Sequence, residues 1–193
     1  IQPDSLVEID TEESSVMEHK KYTESLRGSR DVLKVSKKLA DSSLQMCILG
    51  VENQELVHYA MPMRVMGYDY LAYKKQYDSN AQRYNSEEKR KKYHLTQAEY
   101  VSRMRREDKF SPIITIVLYY GEDEWDGAKR LHEMLEIPPR LLPLVKDYEL
   151  NLVEARNNEC VFHNKNNRDF FTLFKVLLNK NLAMKEAKKI VLD

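Results

Sequence analysis

Residues 112–120 (PIITIVLYY) constrain this chain more than any other stretch. They carry no charge, they are rich in Ile, Val and Tyr, and Gly121 ends the run. Such a composition favours a pleated strand, and an apolar strand without alternation must be covered on both faces. Residues 44–52 (LQMCILGVE) have the same character. Two central strands of this kind require helices layered over a sheet.

The flanking patterns supply the remaining elements. Residues 31–37 (DVLKVSK) alternate apolar and polar, which predicts a half-buried strand, and Ala40-Asp41-Ser42-Ser43 predicts the turn of an antiparallel hairpin with 44–52. Over 56–76, Met63, Met66, Gly67, Tyr70, Ala72 and Tyr73 are spaced for one face of a long helix. Pro62 falls near its start, where proline is tolerated. Residues 131–136 (LHEMLE) read as a short helix stopped by Pro138-Pro139, and 149–154 (ELNLVE) as a further strand. Residues 168–192 read as one or two helices with Phe170, Phe171, Phe174, Leu177 and Leu178 on the apolar face. The acidic stretch 1–18 reads as a solvated arm. The expected architecture is a single α/β domain over 1–193 with a mixed sheet.

Charge narrows the function classes. Lys plus Arg and Asp plus Glu both number 31, which excludes a uniformly basic coat but not a local basic patch. Residues 74–109 hold eleven Lys/Arg against six acids, with Tyr77, Tyr84, Tyr93 and Tyr100 interleaved. The stretch 74–110 therefore reads as an exposed helical insertion with a basic surface. Lys89, Arg90, Lys91, Lys92, Arg103, Arg105 and Arg106 are its candidate phosphate contacts. The tyrosines have two readings, stacking on bases or covering the domain, and covering is the expected one. Two cysteines cannot build a disulfide framework, so a reducing cytoplasm is the expected home. No apolar run approaches membrane-spanning length. With no initiator Met, the chain is expected to be a piece of a longer protein, and a homo-oligomer stays open.

Glycine-rich phosphate loops, His-Glu-x-x-His and Gly-x-Ser-x-Gly are absent from the sequence. Cys160-x-x-His163 is half a zinc site at best, and Cys47 reads as a packed thiol. The informative feature is the polar residues breaking into apolar strands. Asp31 begins the first strand, and Glu52 and Gln54 end the second. Alternation sends Glu52 and Gln54 to one side and Asn53 to the other. A hairpin would set Asp31 opposite Glu52. Two carboxylates sharing a covered sheet end need a proton or a cation, and hard oxygen ligands suit Mg²⁺ or Mn²⁺. Such an ion activates water and polarises a phosphodiester. The bland reading is that both acids end their strands in solvent.

Segment 47–69 (CILGVENQELVHYAMPMRVMGYD) resembles the recombination-promoting nuclease family, often labelled transposase-like. Segments 6–13 (LVEIDTEE), 30–35 (RDVLKV), 112–121 (PIITIVLYYG) and 125–135 (WDGAKRLHEML) follow the same pattern in order. That resemblance implies a PD-(D/E)XK, restriction-endonuclease-like αβββαβ core and a DNA endonuclease dependent on Mg²⁺ or Mn²⁺. It implies catalytic roles for Asp31, Glu52 and Gln54, metal ligation by Asp31, Glu52 and Asn53, and DNA contact through Arg64. Gln54 stands where the superfamily has lysine, and it cannot act as a base; it would orient water instead. The helical segment that precedes the family pattern is missing here. Arg64 has a second reading, an ion pair with Asp69 or with a site acid. The alternative for the whole chain is a catalytically inactive DNA-binding or assembly protein on the same scaffold.

Overall fold

The β-branched run forms β6 (Ile113–Tyr119), in which Thr115, Val117 and Tyr119 are buried and Ile116 and Leu118 half-buried. The alternation beneath a uniformly apolar sequence shows one face sealed more completely than the other. The computed structural model describes residues 6–8, 12–18, 23–29, 32–36, 47–157 and 164–178, with side chains from Gly50 onward. In chain order the strands are β1 (Leu6–Glu8), β2 (Glu12–Glu18), β3 (Thr23–Ser29), β4 (Val32–Ser36), β5 (Cys47–Gln54), β6 and β7 (Asn151–Glu154). The helices are α1 (Met61–Arg83), α2 (Glu87–Lys92), α3 (Gln97–Ser102) and α4 (Lys165–Leu177).

Five strands form one sheet in the order β1-β4-β5-β6-β7. β1 runs antiparallel to β4, with Val7 opposite Val35, and β6 runs parallel to β7, with Val117 opposite Leu152. The sheet is therefore mixed, and the class is a mixture of helix and strand as the pattern predicts. β2 and β3 form a separate antiparallel pair, with Glu12 opposite Ser29 and Glu18 opposite Thr23.

Two expectations change, the arm at 1–18 and the short helix at 131–136. Residues 1–18 are not simply an arm, since they contain β1 and most of them lie in strands. Main-chain pairing is indifferent to side-chain charge, and β3 supplies β2 with a partner along its length. Gly28 and Ser29 close β3; glycine weakens a strand without forbidding it. The segment after β6 forms 3₁₀ turns at Leu131–Met134 and Pro139–Leu144 instead of an α-helix. Pro139 opens the second turn, because its fixed φ suits a first helical position.

The chain divides into two compact units, one of residues 1–50 and 66–114, the other of 51–65 and 115–193. The core of the second unit is Met61, Val65, Val117, Tyr119, Trp125 and Leu150, with Val57, Tyr148 and Leu152 packed against it. Trp125 meets Tyr119 edge-on at 5.2 Å between ring centroids, and its indole N–H donates to the Gly127 carbonyl at 2.8 Å. In the first unit Leu71, Ala72, Ala81, Tyr84 and Leu95 are buried.

The predicted helical face is present in α1 but turned the other way. Of its predicted residues Met63, Met66, Tyr70 and Tyr73 are exposed and Gly67 is half-buried, while Ala72 is buried on the opposite stripe with Met61, Val65 and Asp69. Two apolar stripes run along this helix, and periodicity does not say which one meets the core. Met61→Ala is expected to cost about 2–5 kcal/mol through the lost side chain and the cavity left behind. Met63→Ala is expected to stay within about 0.5 kcal/mol. Urea midpoints of the two variants check the assignment, and equal losses would refute it.

Candidate functional site

β5 carries its polar residues at its C-terminal end, and the pleat sorts them as alternation requires. Glu52 is fully buried and Gln54 half-buried, while Asn53 between them is exposed. A carboxylate with no solvent exposure is costly, so its charge needs compensation nearby. Arg64 provides it: Nη2 lies 3.5 Å from Glu52 Oε2, and its side chain keeps 33% of its exposure. That separation is longer than a direct charge-assisted hydrogen bond of about 2.7–2.9 Å.

Local structure delivers the guanidinium. After β5 the chain reverses through residues 55–60, where the Met61 N–H donates to the His58 carbonyl at 2.9 Å. The Arg64 N–H then donates to the Ala60 carbonyl at 3.1 Å, which fixes the first turn of α1. Pro62 in that turn lacks only an N–H that a helix start leaves unused, and its side chain is fully buried. A cation in a first turn meets the unfavourable end of the helix dipole, so Glu52 offsets that penalty as well. Of the two sequence readings for Arg64, the pairing with a site acid is present, and it involves Glu52.

Asp31 lies outside the described residues. β4 begins at the next residue, Val32, and is the neighbour of β5 in the sheet. Cys160 and His163, like the turn at 40–43, also lie outside the described residues. Among the described residues no group of three or more His, Cys, Asp or Glu side chains is arranged to hold a metal ion. The donors that β5 itself offers are hard oxygens: the Glu52 carboxylate, the Asn53 main-chain carbonyl and the Gln54 carboxamide. This set fits Mg²⁺ or Mn²⁺ in kind, because Mg²⁺ uses one or two carboxylates and keeps several waters.

The basic candidates divide by what they touch. Lys89 donates to the Gln82 carbonyl at 2.8 Å and to Asn85 Oδ1 at 3.1 Å, tying α2 back to the end of α1. Arg90 pairs with Glu87 and lies over the Tyr100 ring at 5.2 Å. Arg105 donates to the Tyr93 carbonyl at 3.0 Å and pairs with Glu107 at 3.3 Å. These three hold the insertion together. Lys91, Lys92, Arg103 and Arg106 are exposed, and none of them makes an ion pair among the described residues. Lys92 lies over Tyr93 at 5.7 Å. The tyrosines are packing residues: Tyr84 is buried edge-on against Tyr93, and Tyr77 donates to the Ser102 carbonyl. The insertion has no break at residue 74, since α1 runs on to Arg83.

A capping box shapes the end of this arm. The Thr96 N–H donates to Glu99, and the Glu99 N–H donates to the Thr96 hydroxyl. The bond from the Thr96 N–H, and then the one from the Arg106 N–H, hold the Glu99 carboxyl below its ordinary range. Its stabilising effect is thus complete above the unfolded-state pKa and is lost as pH falls through the lowered folded value. Amide shifts of α3 should titrate below the ordinary glutamate midpoint. Thr96→Ala removes the hydroxyl's bond to Glu99 but keeps the main-chain N–H, so it should move that midpoint only part of the way up; a parent midpoint at the ordinary glutamate value would refute the box as the cause.

Removing Arg64 leaves the buried Glu52 charge without the guanidinium. Arg64→Gln should therefore destabilise more than the double variant Glu52→Gln/Arg64→Gln, with the single change costing on the order of 3 kcal/mol. Chemical denaturation of the parent, both single variants and the double variant closes the cycle. Additive losses would mean that the pair is not coupled.

Comparison with protein-family models, with curated proteins and with solved structures finds no match to this chain.

Proposed function

We propose that this chain is a DNA endonuclease that depends on a divalent metal, built on a restriction-endonuclease-like core and related to the recombination-promoting nucleases. The observation that carries the reading is Glu52, a fully buried carboxylate at the end of a central strand of a mixed sheet, with Gln54 on the same side. A carboxyl group buried there beside a guanidinium, at such desolvation cost, is a candidate functional group rather than a strand terminator. The order of β4, β5, α1 and β6 along the chain also agrees with the resemblance drawn from 30–35, 47–69 and 112–121.

Glu52, the Asn53 carbonyl and Asp31 are the groups that would hold Mg²⁺ or Mn²⁺. When bound, such an ion supplies Lewis-acid polarisation of the scissile phosphate and a lower pKa for a coordinated water. Gln54 both donates and accepts, so it orients the attacking water without taking its proton. Arg64 retains a third of its exposure and can face a phosphate while balancing Glu52. Lys91, Lys92, Arg103 and Arg106 are the exposed cations of the insertion that would follow a DNA backbone.

A second reading is favoured by the same contact. A guanidinium beside Glu52 already neutralises the acid that a metal would need, and this suits a non-cleaving DNA-binding or assembly protein on a nuclease-derived scaffold. One experiment separates the two. Supercoiled plasmid is incubated with Mg²⁺ or Mn²⁺, alongside gel shifts in Ca²⁺. The nuclease reading expects nicking that falls at least about a hundredfold in Glu52→Gln, equivalent to about 2.7 kcal/mol of transition-state stabilisation, while the thermal melt persists. Salt-sensitive shifts with no nicking would establish the second reading, and neither cleavage nor binding would remove both.

A further inference from the structure

A concave feature of the second unit lies away from Glu52. A cavity of about 630 Å³ opens beyond the C-terminal ends of β5 and β6, and neither Glu52 nor Gln54 lines it. Its size falls within the range of small-molecule sites. Its lining combines two features. Carboxylates come from Glu55 and from the run 122–126 (EDEWD), and aromatic rings come from Tyr59, Tyr119, Tyr120 and Phe174.

Among the described residues the acid run meets Arg156. Arg156 reaches Glu124 at 3.7 Å and donates to the Glu122 carbonyl at 2.8 Å. Glu55 and Asp123 make no ion pair among the described residues. Asp126 accepts a hydrogen bond from the Tyr59 hydroxyl at 3.2 Å, a phenol that remains well exposed. Tyr120 and Phe174 meet edge-on at 6.5 Å and form an aromatic wall.

Independent support comes from Tyr119. This side chain is only 2% exposed; its hydroxyl is not sealed from solvent and makes no hydrogen bond among the described residues. Its phenol end lies over Gly121, which also lines the cavity, and a Cβ on Gly121 would overlap the hydroxyl. Burial raises the Tyr119 pKa, and Asp123, Glu154 and Asp126 raise it further, so the group stays protonated within a negative field. Its oxygen remains free to accept a hydrogen bond from an N–H donor.

We infer that this cavity is a binding site for a small aliphatic di- or polyamine. One ammonium group would sit among Glu55, Asp123 and Asp126, hydrogen-bonded to the Tyr119 hydroxyl oxygen, with the alkyl chain along Tyr120 and Phe174. Carboxylates supply the charge, ring faces supply cation–π attraction, and the apolar wall accepts the methylenes. The inference stands apart from the nuclease reading, because it uses none of the same side chains.

Trp125 is the chain's single tryptophan and packs on Tyr119, so its fluorescence reports on the site. The full chain is titrated with hexamethylenediamine and spermidine, with neutral hexanediol and with MgCl₂ at matched ionic strength. Saturable change with the amines alone is expected. Glu55→Gln/Asp123→Asn should weaken amine binding about tenfold or more. Tyr119→Phe should weaken it severalfold with the melting temperature retained. A response that follows ionic strength alone would overturn the site, as would a double variant that binds like the parent. Tighter binding of a lysine-rich peptide than of the free amines would overturn the small-molecule assignment.

Discussion

The buried negative charge of Glu52 sets the terms for the structure around it. Among the described residues Glu52 is one of the largest side chains removed completely from water, and those beside it in that group, Met61, Val117 and Pro62, are apolar. An ion in that setting loses several kcal/mol of hydration, which only a nearby opposite charge recovers. The reversal at 55–60, the proline in the first turn of α1 and the burial of Met61 together bring Arg64 within reach. Those residues are therefore constrained by electrostatics as much as by packing.

The insertion obeys a different logic. Its charges sit in high dielectric, where an isolated pair contributes little. Three of its seven candidate cations are tied to carbonyls, carboxylates or rings of the same arm, which turns an otherwise polar segment into a folded one. The aromatic residues serve the same end, with Tyr84 and Tyr93 forming a small core of their own. The consecutive run 89–92 looks like a patch on paper, but a helix distributes consecutive residues around its axis.

The strands were legible where side chains alone determine them. Residues 112–120 and 149–154 place β6 and β7 to within a few residues, and the alternation of Glu52, Asn53 and Gln54 is as the pleat requires. β2 and β3 were not legible, because their pairing comes from the backbone and their sequences lack an apolar face. The orientation of α1 was hidden by its having two apolar stripes, and the 3₁₀ turns by a pattern that suits any short helix. At the site, burial of Glu52 could not be read from strand position, since strand ends are commonly solvated. The acid run 122–126 following two tyrosines was visible in the sequence, but its significance depends on the cavity that the fold closes beside it.

The outward stripe of α1 has a chemical corollary. Met63 and Met66 present their thioethers to solvent, whereas Met61, on the same helix, has no exposure. Sulfoxide formation follows access, so oxidants would reach the outer pair first and turn a greasy strip into a polar one while the inner sulfur is spared. This helix thus carries, a single turn apart, a sulfur that records the redox state of its surroundings and one sheltered from it.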